Sequence, residues 1–300
     1  MGIDSTAVSF LCAARNLGVD FQSTLMIGRQ SFWPRPEALQ GVVRALGLDV
    51  DSNRFIQEHE FAEGFFQLLG AGSVDALDAS PFEGTNITHD LNIPIPAEHH
   101  GRFSVVYDGG SLEHVFQFPT ALRSCLQMVK PGGHFLQHSE ANNFCGHGFW
   151  QLSPELLFRA LSPENGFRLK AVFLREDTPG AKWYLVRDPA AVGHRVELCN
   201  STPTYIFAIA QRISLVEPFA SPPQQSDYSA IWKKYEGAQQ AHPSRIPQPS
   251  ILHRLVPRSV KVAIKSVLKP SFNASDYAPI SDADFLQGKL PFVGNGSAAG

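Results

Sequence analysis

The sequence predicts an α/β chain built on a largely parallel sheet with helices on both faces. Short apolar runs alternate with segments of helical period, and each parallel crossover needs a helix to return the chain. Gly and Pro punctuate those segments at intervals suited to single strands and helices. At 300 residues and 43% apolar content the chain can also bury a substantial core.

The elements follow in order. Ser5 to Leu17 reads as a helix capped by Ser5 or Asp4 and ended by Gly18, and Thr24-Leu-Met-Ile27 as a buried strand. Pro34 and Pro36 open a helix with Leu39, Val42, Val43 and Leu46 on one face, and a second helix is expected around Glu58 to Leu69. Strands are expected at Ser73 to Leu77, Asn86 to His89 and Phe103 to Tyr107. Helical spacing then runs from Pro119 through Leu122, Cys125, Leu126 and Val129 to a tight turn, Lys130-Pro-Gly-Gly133, before a fifth strand at Phe135. Ser153-Pro-Glu155 is a helix start and Gly166 a stop. Phe167 to Leu174 and Tyr205 to Ile213 are late strands, with Trp183 to Asn200 between them read as a loop-rich insertion. Prolines and a Gln-Gln-Ser run over 217–227 read as a linker, which divides the chain into a domain over 1–217 and an extension over 218–300.

Composition excludes several classes. No apolar run approaches the roughly 18 to 20 residues of a membrane span, and no signal peptide is evident, so a cytoplasmic location is expected. Four cysteines without a C-x-x-C pair indicate neither a zinc knuckle nor a disulfide framework. A net charge of −3 gives no global attraction to nucleic acid, and none is expected as a partner. Eleven histidines include no H-x-x-x-H or H-E-x-x-H pattern, so no metal is expected, and no G-x-G-x-x-G follows the first strand.

Three segments carry a family resemblance: Phe103-Ser-Val-Val-Tyr-Asp-Gly-Gly-Ser-Leu-Glu-His-Val115, then Ala121-Leu122, then Leu126-Gln-Met-Val-Lys-Pro-Gly-Gly-His-Phe135. Together they resemble the fourth-strand to fifth-strand segment of class I S-adenosylmethionine-dependent methyltransferases. The resemblance is close from Val74 to Pro154 and extends from about Thr24 to Ile213. It implies a Rossmann-like methyltransferase fold with a mostly parallel seven-stranded sheet and S-adenosylmethionine as cofactor. It places Asp78 at the ribose and Asp90 at the adenine, with Asp108 at the end of strand four as a further cofactor contact, and each of Asp78 and Asp90 can also be read as a strand-end turn or cap residue.

The first motif departs from the family. In Ile27-Gly-Arg-Gln-Ser31 only Gly28 remains of the glycine loop, and fifty positions separate it from Asp78, so an extra helix must be inserted. Arg29 can pair with the cofactor's carboxylate or fill the space that glycine leaves open.

The stretch from Gln137 to Gln151 follows strand five and reaches the same crevice. His147, between two glycines, is the leading candidate base, with His114 and His138 behind it, and Asn142, Asn143 and Gln151 can orient a substrate. The alternative makes the asparagines turn residues and His147 a surface or packing group. The expected function is methyl transfer to an oxygen or nitrogen of a small-molecule or glycan-type acceptor. The alternative is a non-catalytic module that has lost the cofactor and serves as a binding or assembly partner.

Residues 249–269 place apolar side chains at near-helical spacing among His253, Arg254, Arg258, Lys261, Lys265 and Lys269. This basic amphipathic pattern suits either peripheral contact with an anionic membrane or a helix packed on its own domain. From Ser271 onward the tail is expected to lack fixed structure.

Overall fold

The computed structural model describes residues 2–229, 231–232 and 272–291. The chain opens with β1 (Gly2–Ile3) and α1 (Ser5–Asn16), where the Asp4 side chain accepts from the amides of Thr6 and Ala7. β2 (Ser23–Ile27) and β3 (Ser31–Phe32) follow, then three helices, α2 (Pro36–Ala45), α3 (Ser52–Glu58) and α4 (Glu63–Leu68). These helices fill the fifty-residue interval after Gly28. The helix expected over 58–69 is present as α4 but starts later: α3 ends at Glu58, and the chain leaves helix over 59–62, where Phe61 bridges to Ser31 and the Ala62 amide donates to the Gln30 carbonyl.

β4 (Ser73–Asp78), β5 (Ile87–Thr88), β6 (Phe103–Gly109), α5 (Phe118–Met128) and β7 (Val129–Asn142) come next. The Lys130–Gly133 turn lies inside β7 as a bulge, since Phe103 faces Val129 but Val105 already faces His134. The chain continues through α6 (Pro154–Ala160), β8 (Phe167–Glu176), β9 (Trp183–Val186), α7 (Pro189–Val192) and β10 (Thr204–Arg212). The loop-rich reading of 183–200 is therefore also corrected, because a strand and a short helix occupy much of it.

β11 (Tyr277–Ile280) and α8 (Asp282–Leu286) complete the described chain. They overturn the expectation of an unstructured tail over 272–291. β11 pairs antiparallel with β9, and α8 buries Phe285 in the core. The Pro-rich segment after 217 also lies along the domain, with the Ser226 amide and hydroxyl donating to Glu155 and the Phe219 amide to Asn165. The basic stretch 249–269 lies outside the described residues.

The main sheet has nine strands in the order β11-β9-β8-β10-β7-β6-β2-β4-β5, and β1 pairs with β3 separately. The seven expected strands are contiguous in it. Its parallel part, β5 to β7, adjoins an antiparallel part, β10 to β11, so the sheet is more mixed than expected. Side chains alternate between two cores. Met26, Val105, Tyr107, Leu136 and Phe207 pack with α1, α2, α4 and α8 on one face, while Leu25, Ile27, Val106, Phe135 and Ile206 pack with α5 and α6 on the other. This is a Rossmann-like α/β fold, and its connections reverse between β2 and β6. In such sheets a ligand crevice opens outside the carboxyl ends of the strands at that switch point.

Among the described residues no helix is long and apolar enough to cross a membrane. The cysteines are free, with Cys12 and Cys125 buried and Cys145 and Cys199 exposed.

Candidate active site

A cleft of about 220 Å³ lies at the switch point, and its lining includes Gly28, Asp78, Asp90, Asn92, Ser111 and His114. Gly28 ends β2 with φ 69°, a conformation that other residues adopt at a cost, and its amide donates to the Leu77 carbonyl at 2.7 Å. Chain reversal at Gly28 leaves backbone rather than a side chain on the cleft floor.

Asp78 ends β4. One carboxylate oxygen accepts from the Ser80 amide at 3.2 Å, and the other meets no protein donor among the described residues. Asp90, in the loop after β5, accepts from both the amide and the side-chain nitrogen of Asn92, and these bonds hold its carboxyl below the usual carboxylate range. Asn92 in turn accepts from the Gln117 amide, which ties this rim to the start of α5.

Arg29 does not line the cleft. Its Nε donates to Glu63 at 2.6 Å, one terminal nitrogen donates to the Glu83 carbonyl, and its guanidinium sits 3.9 Å from the Phe61 ring centre. In this structure Arg29 instead ties the β2 loop to α4 and the β4–β5 loop, away from both positions expected for it, cofactor contact and obstruction. Behind it, buried Gln30 donates to the carbonyls of Ile27 and Gly28 and fixes the turn from within.

Asp108 is likewise not at the cleft surface. It is wholly buried at the end of β6, accepting from the amides of Ser111 and Leu112 and from Gln137, and burial pushes it up to about 6 despite those donors. With both oxygens occupied it shapes the loop that presents Ser111, whose hydroxyl donates to the Ile27 carbonyl at 2.5 Å.

The turn Leu112–His114 then brings Glu113 inward and His114 outward into the cleft. The loop after β7 closes on this turn. Phe149 donates its amide to the Glu113 carbonyl at 2.8 Å, and Gly148, at φ 65°, lies so close that a Cβ would meet the same carbonyl oxygen at 2.9 Å. Gly148 thus permits the approach that sets the His147 ring 4.9 Å from that of His114. His147 Nε2 lies 3.0 Å from Glu140, which is buried near the end of β7.

Glu113 accepts from the Ser139 hydroxyl through one oxygen, while its other oxygen and one of Glu140 have no donor from any other residue. Two buried carboxyl groups so placed hold a proton between them, and burial, followed by the Glu140 carboxyl beside it, pushes Glu113 up to about 10. His114 is held below its usual value, first by burial and then by the charge of His147. His138 is buried and stacked on Phe207 at 4.4 Å, a packing position rather than a catalytic one.

The proposed substrate contacts are also engaged elsewhere. Asn142 and Asn143 donate to Asn200, Asn143 donates further to the Thr202 carbonyl, and Asn143 adopts φ 63°. Gln151 accepts from the Phe144 amide and closes the His147 loop. All three are turn residues, as the alternative reading had them.

The residues missed from sequence were Glu113, Glu140 and Ser111. Their signal lay in polarity where a central strand is ordinarily apolar: Gln137-His-Ser-Glu140 is a run of four polar residues inside β7, all buried.

No protein-family model matches the sequence, and no curated protein does. Among solved structures the chain is similar to a Listeria monocytogenes protein provisionally described as an S-adenosylmethionine-dependent methyltransferase, at 13% identity over 69% of this chain and 98% of that one, with a TM-score of 0.39. It is similar also to the trans-methyltransferase CalH in complex with SAH (14%, 69% and 57%, 0.39). A third is the branched-chain polyamine synthase of Thermus thermophilus (15%, 74% and 60%, 0.35). Likeness at these scores assigns no chemistry to this chain, and the fold stands on its own strand order.

Proposed function

We propose that the protein transfers a methyl group from S-adenosylmethionine to an oxygen or nitrogen of a small-molecule or glycan-type acceptor. The observation that carries this reading is one cleft at the switch point whose lining brings together Gly28, Asp78, Asp90 and His114. The residues fit the cofactor: Gly28 puts backbone rather than a side chain in the cleft lining, and Asp78 has an oxygen without a protein donor among the described residues, suited to a ribose hydroxyl. The engagement of Arg29 with Glu63 turns it away from the cleft, which favours this reading over the non-catalytic alternative.

When bound, S-adenosylmethionine supplies an electrophilic methyl group. The chain's own part is to align the acceptor and to take its proton. His114 reaches the cleft and is held neutral, ready to accept. Glu140 engages His147 through Nε2, which leaves Nδ1 as the proton-accepting nitrogen.

Calorimetric titration with S-adenosylhomocysteine tests the reading. Saturable binding is expected, and Asp78→Ala should weaken it by about 1.5–3 kcal/mol, the scale of hydrogen bonds to a charged acceptor. A folded wild-type protein that takes up no S-adenosylhomocysteine would remove the methyltransferase assignment.

A further inference from the structure

Glu113, His114 and His147 each offer one ligand atom, and these atoms lie within 4.8 Å of one another. We propose that this trio is a binding site for a divalent transition-metal ion of the zinc class at the acceptor end of the cleft. The expectation of no metal rested on sequence spacing, and the two histidines are separated by 33 positions, so no local motif could reveal them. The fold joins them through the contact of Gly148 and Phe149 with the Glu113 carbonyl.

Three features point to a cation rather than to chance proximity. First, bonds of about 2.1 Å to a tetrahedral ion place ligand atoms about 3.4 Å apart, so small side-chain rotations bring this trio into register. Second, Glu113 is wholly buried and one of its oxygens has no donor from another residue. Buried Asp108 and Glu140 lie nearby, and among the described residues neither Lys nor Arg pairs with any of the three carboxyl groups. A dication can displace the proton held between Glu113 and Glu140 and take its place as the compensating charge. Third, Glu140 holds His147 by one ring nitrogen, the carboxylate–histidine arrangement that orients a metal-ligating imidazole through its other nitrogen.

Two imidazoles and one carboxylate suit zinc and its first-row neighbours, whereas magnesium and calcium prefer all-oxygen sets. Three protein ligands leave a position open toward the cleft. Its use rests on the methyl-transfer reading: an acceptor hydroxyl bound to the ion would lose its proton to solvent more readily. The alkoxide oxygen would take the methyl group as its bond to the sulfonium sulfur breaks and S-adenosylhomocysteine leaves, and the ion would take over the activating part otherwise played by the imidazoles. Metal binding itself does not depend on that reading.

The test uses the full chain stripped with a chelator and titrated with Co²⁺, followed by its visible absorption and by calorimetry with Zn²⁺. One equivalent is expected to bind, with four- or five-coordinate absorption bands. His114→Ala, His147→Ala and Glu113→Gln should each weaken binding at least roughly tenfold. Replacement of both His99 and His100, a pair elsewhere on the chain, should leave it unchanged. Both site histidines are exposed, so their variants are expected to fold, and S-adenosylhomocysteine titration of the same proteins reports the cofactor site separately. No saturable Co²⁺ uptake up to roughly millimolar metal, or uptake indifferent to His114→Ala and His147→Ala, would overturn the site.

Discussion

The parallel and antiparallel parts of the sheet differ in what they bury. At the antiparallel end, β8, β9 and β10 close over aromatic rings: Trp183 stacks on Phe285 at 3.8 Å, Phe173 meets Phe285 edge-on at 5.1 Å, and Phe207 meets Trp183 at 4.9 Å. At the carboxyl ends of the parallel strands the same depth of burial holds Asp108, Glu113, Gln137, Ser139 and Glu140. Apolar burial stabilises a fold, and burial of carboxyl groups works against it unless each finds a partner. The chain therefore gains stability at one end and retains strained chemistry at the other, the distribution expected where a site is built into a fold.

The largest effect that can test this contrast is at Trp183. Trp183→Ala removes a ring that is 1% exposed and strips α8 of its stacking partner, so urea unfolding should report a loss of about 3–5 kcal/mol. S-adenosylhomocysteine affinity, measured well below the unfolding midpoint, should be unchanged. A loss under about 1 kcal/mol would mean that the aromatic end is not where the fold draws its stability.

The same contrast explains what the sequence could disclose. Met26, Val105 and Leu25 alternate along short strands, and Asp4, Pro36 and Ser153 mark helix starts, all within a few residues of the elements they specify. β9 was missed although it forms a hairpin with β8 across the Thr178-Pro-Gly180 turn, and only its other partner, β11, lies about ninety residues further on. In the site, Gly28, Asp78, Asp90 and His114 were legible from order along the chain, since the fold places successive strand ends side by side. Arg29, Asn142 and Asn143 are engaged by neighbours in the structure, which sequence does not disclose, because a polar side chain near a cleft looks the same whether it faces ligand or neighbour. Here the neighbours Glu63 and Asn200 decide.

A smaller effect is expected from Asp108→Asn, read as a pH dependence. The Asp108 carboxyl, ordinarily near 3.8, is pushed up to about 6 by burial, so the folded state holds this proton more tightly than the unfolded chain. That contribution to stability is complete below pH 3.8, declines as pH rises to about 6, and is absent above. Asparagine never ionises. Its oxygen can still accept from Ser111 and Leu112, and Gln137, whose amide oxygen lacks a donor, can turn to face the new nitrogen. Relative to wild type, the variant should gain on the order of 1–3 kcal/mol above pH 6, with the difference vanishing toward pH 4. His134 has the opposite sign, since burial lowers it to about 4 and its neutral form loses stability as pH falls below 6.5. The difference between the two melting profiles, rather than either alone, isolates Asp108, and parallel profiles between pH 4 and 6.5 would show that Asp108 stays ionised in the fold.

The smallest effect separates the scaffold of the cleft from its ligand contacts. Arg29 bridges Glu63, the Glu83 carbonyl and the Phe61 ring from a half-buried position beside the cleft. Partly screened ion pairs and cation–π contacts are each worth up to about 1 kcal/mol, so Arg29→Ala should lower stability by roughly 1 kcal/mol in urea unfolding. S-adenosylhomocysteine affinity should stay within about threefold of wild type, a change under about 0.7 kcal/mol, because Gly28 is still held by its bond to Leu77 and by Gln30 from behind. Tenfold weaker binding would show that Arg29 swings from Glu63 to the cofactor's carboxylate when the cleft fills. Tenfold tighter binding would show that the guanidinium obstructs the cleft in solution, and the contact with Glu63 would then not be the state that governs binding.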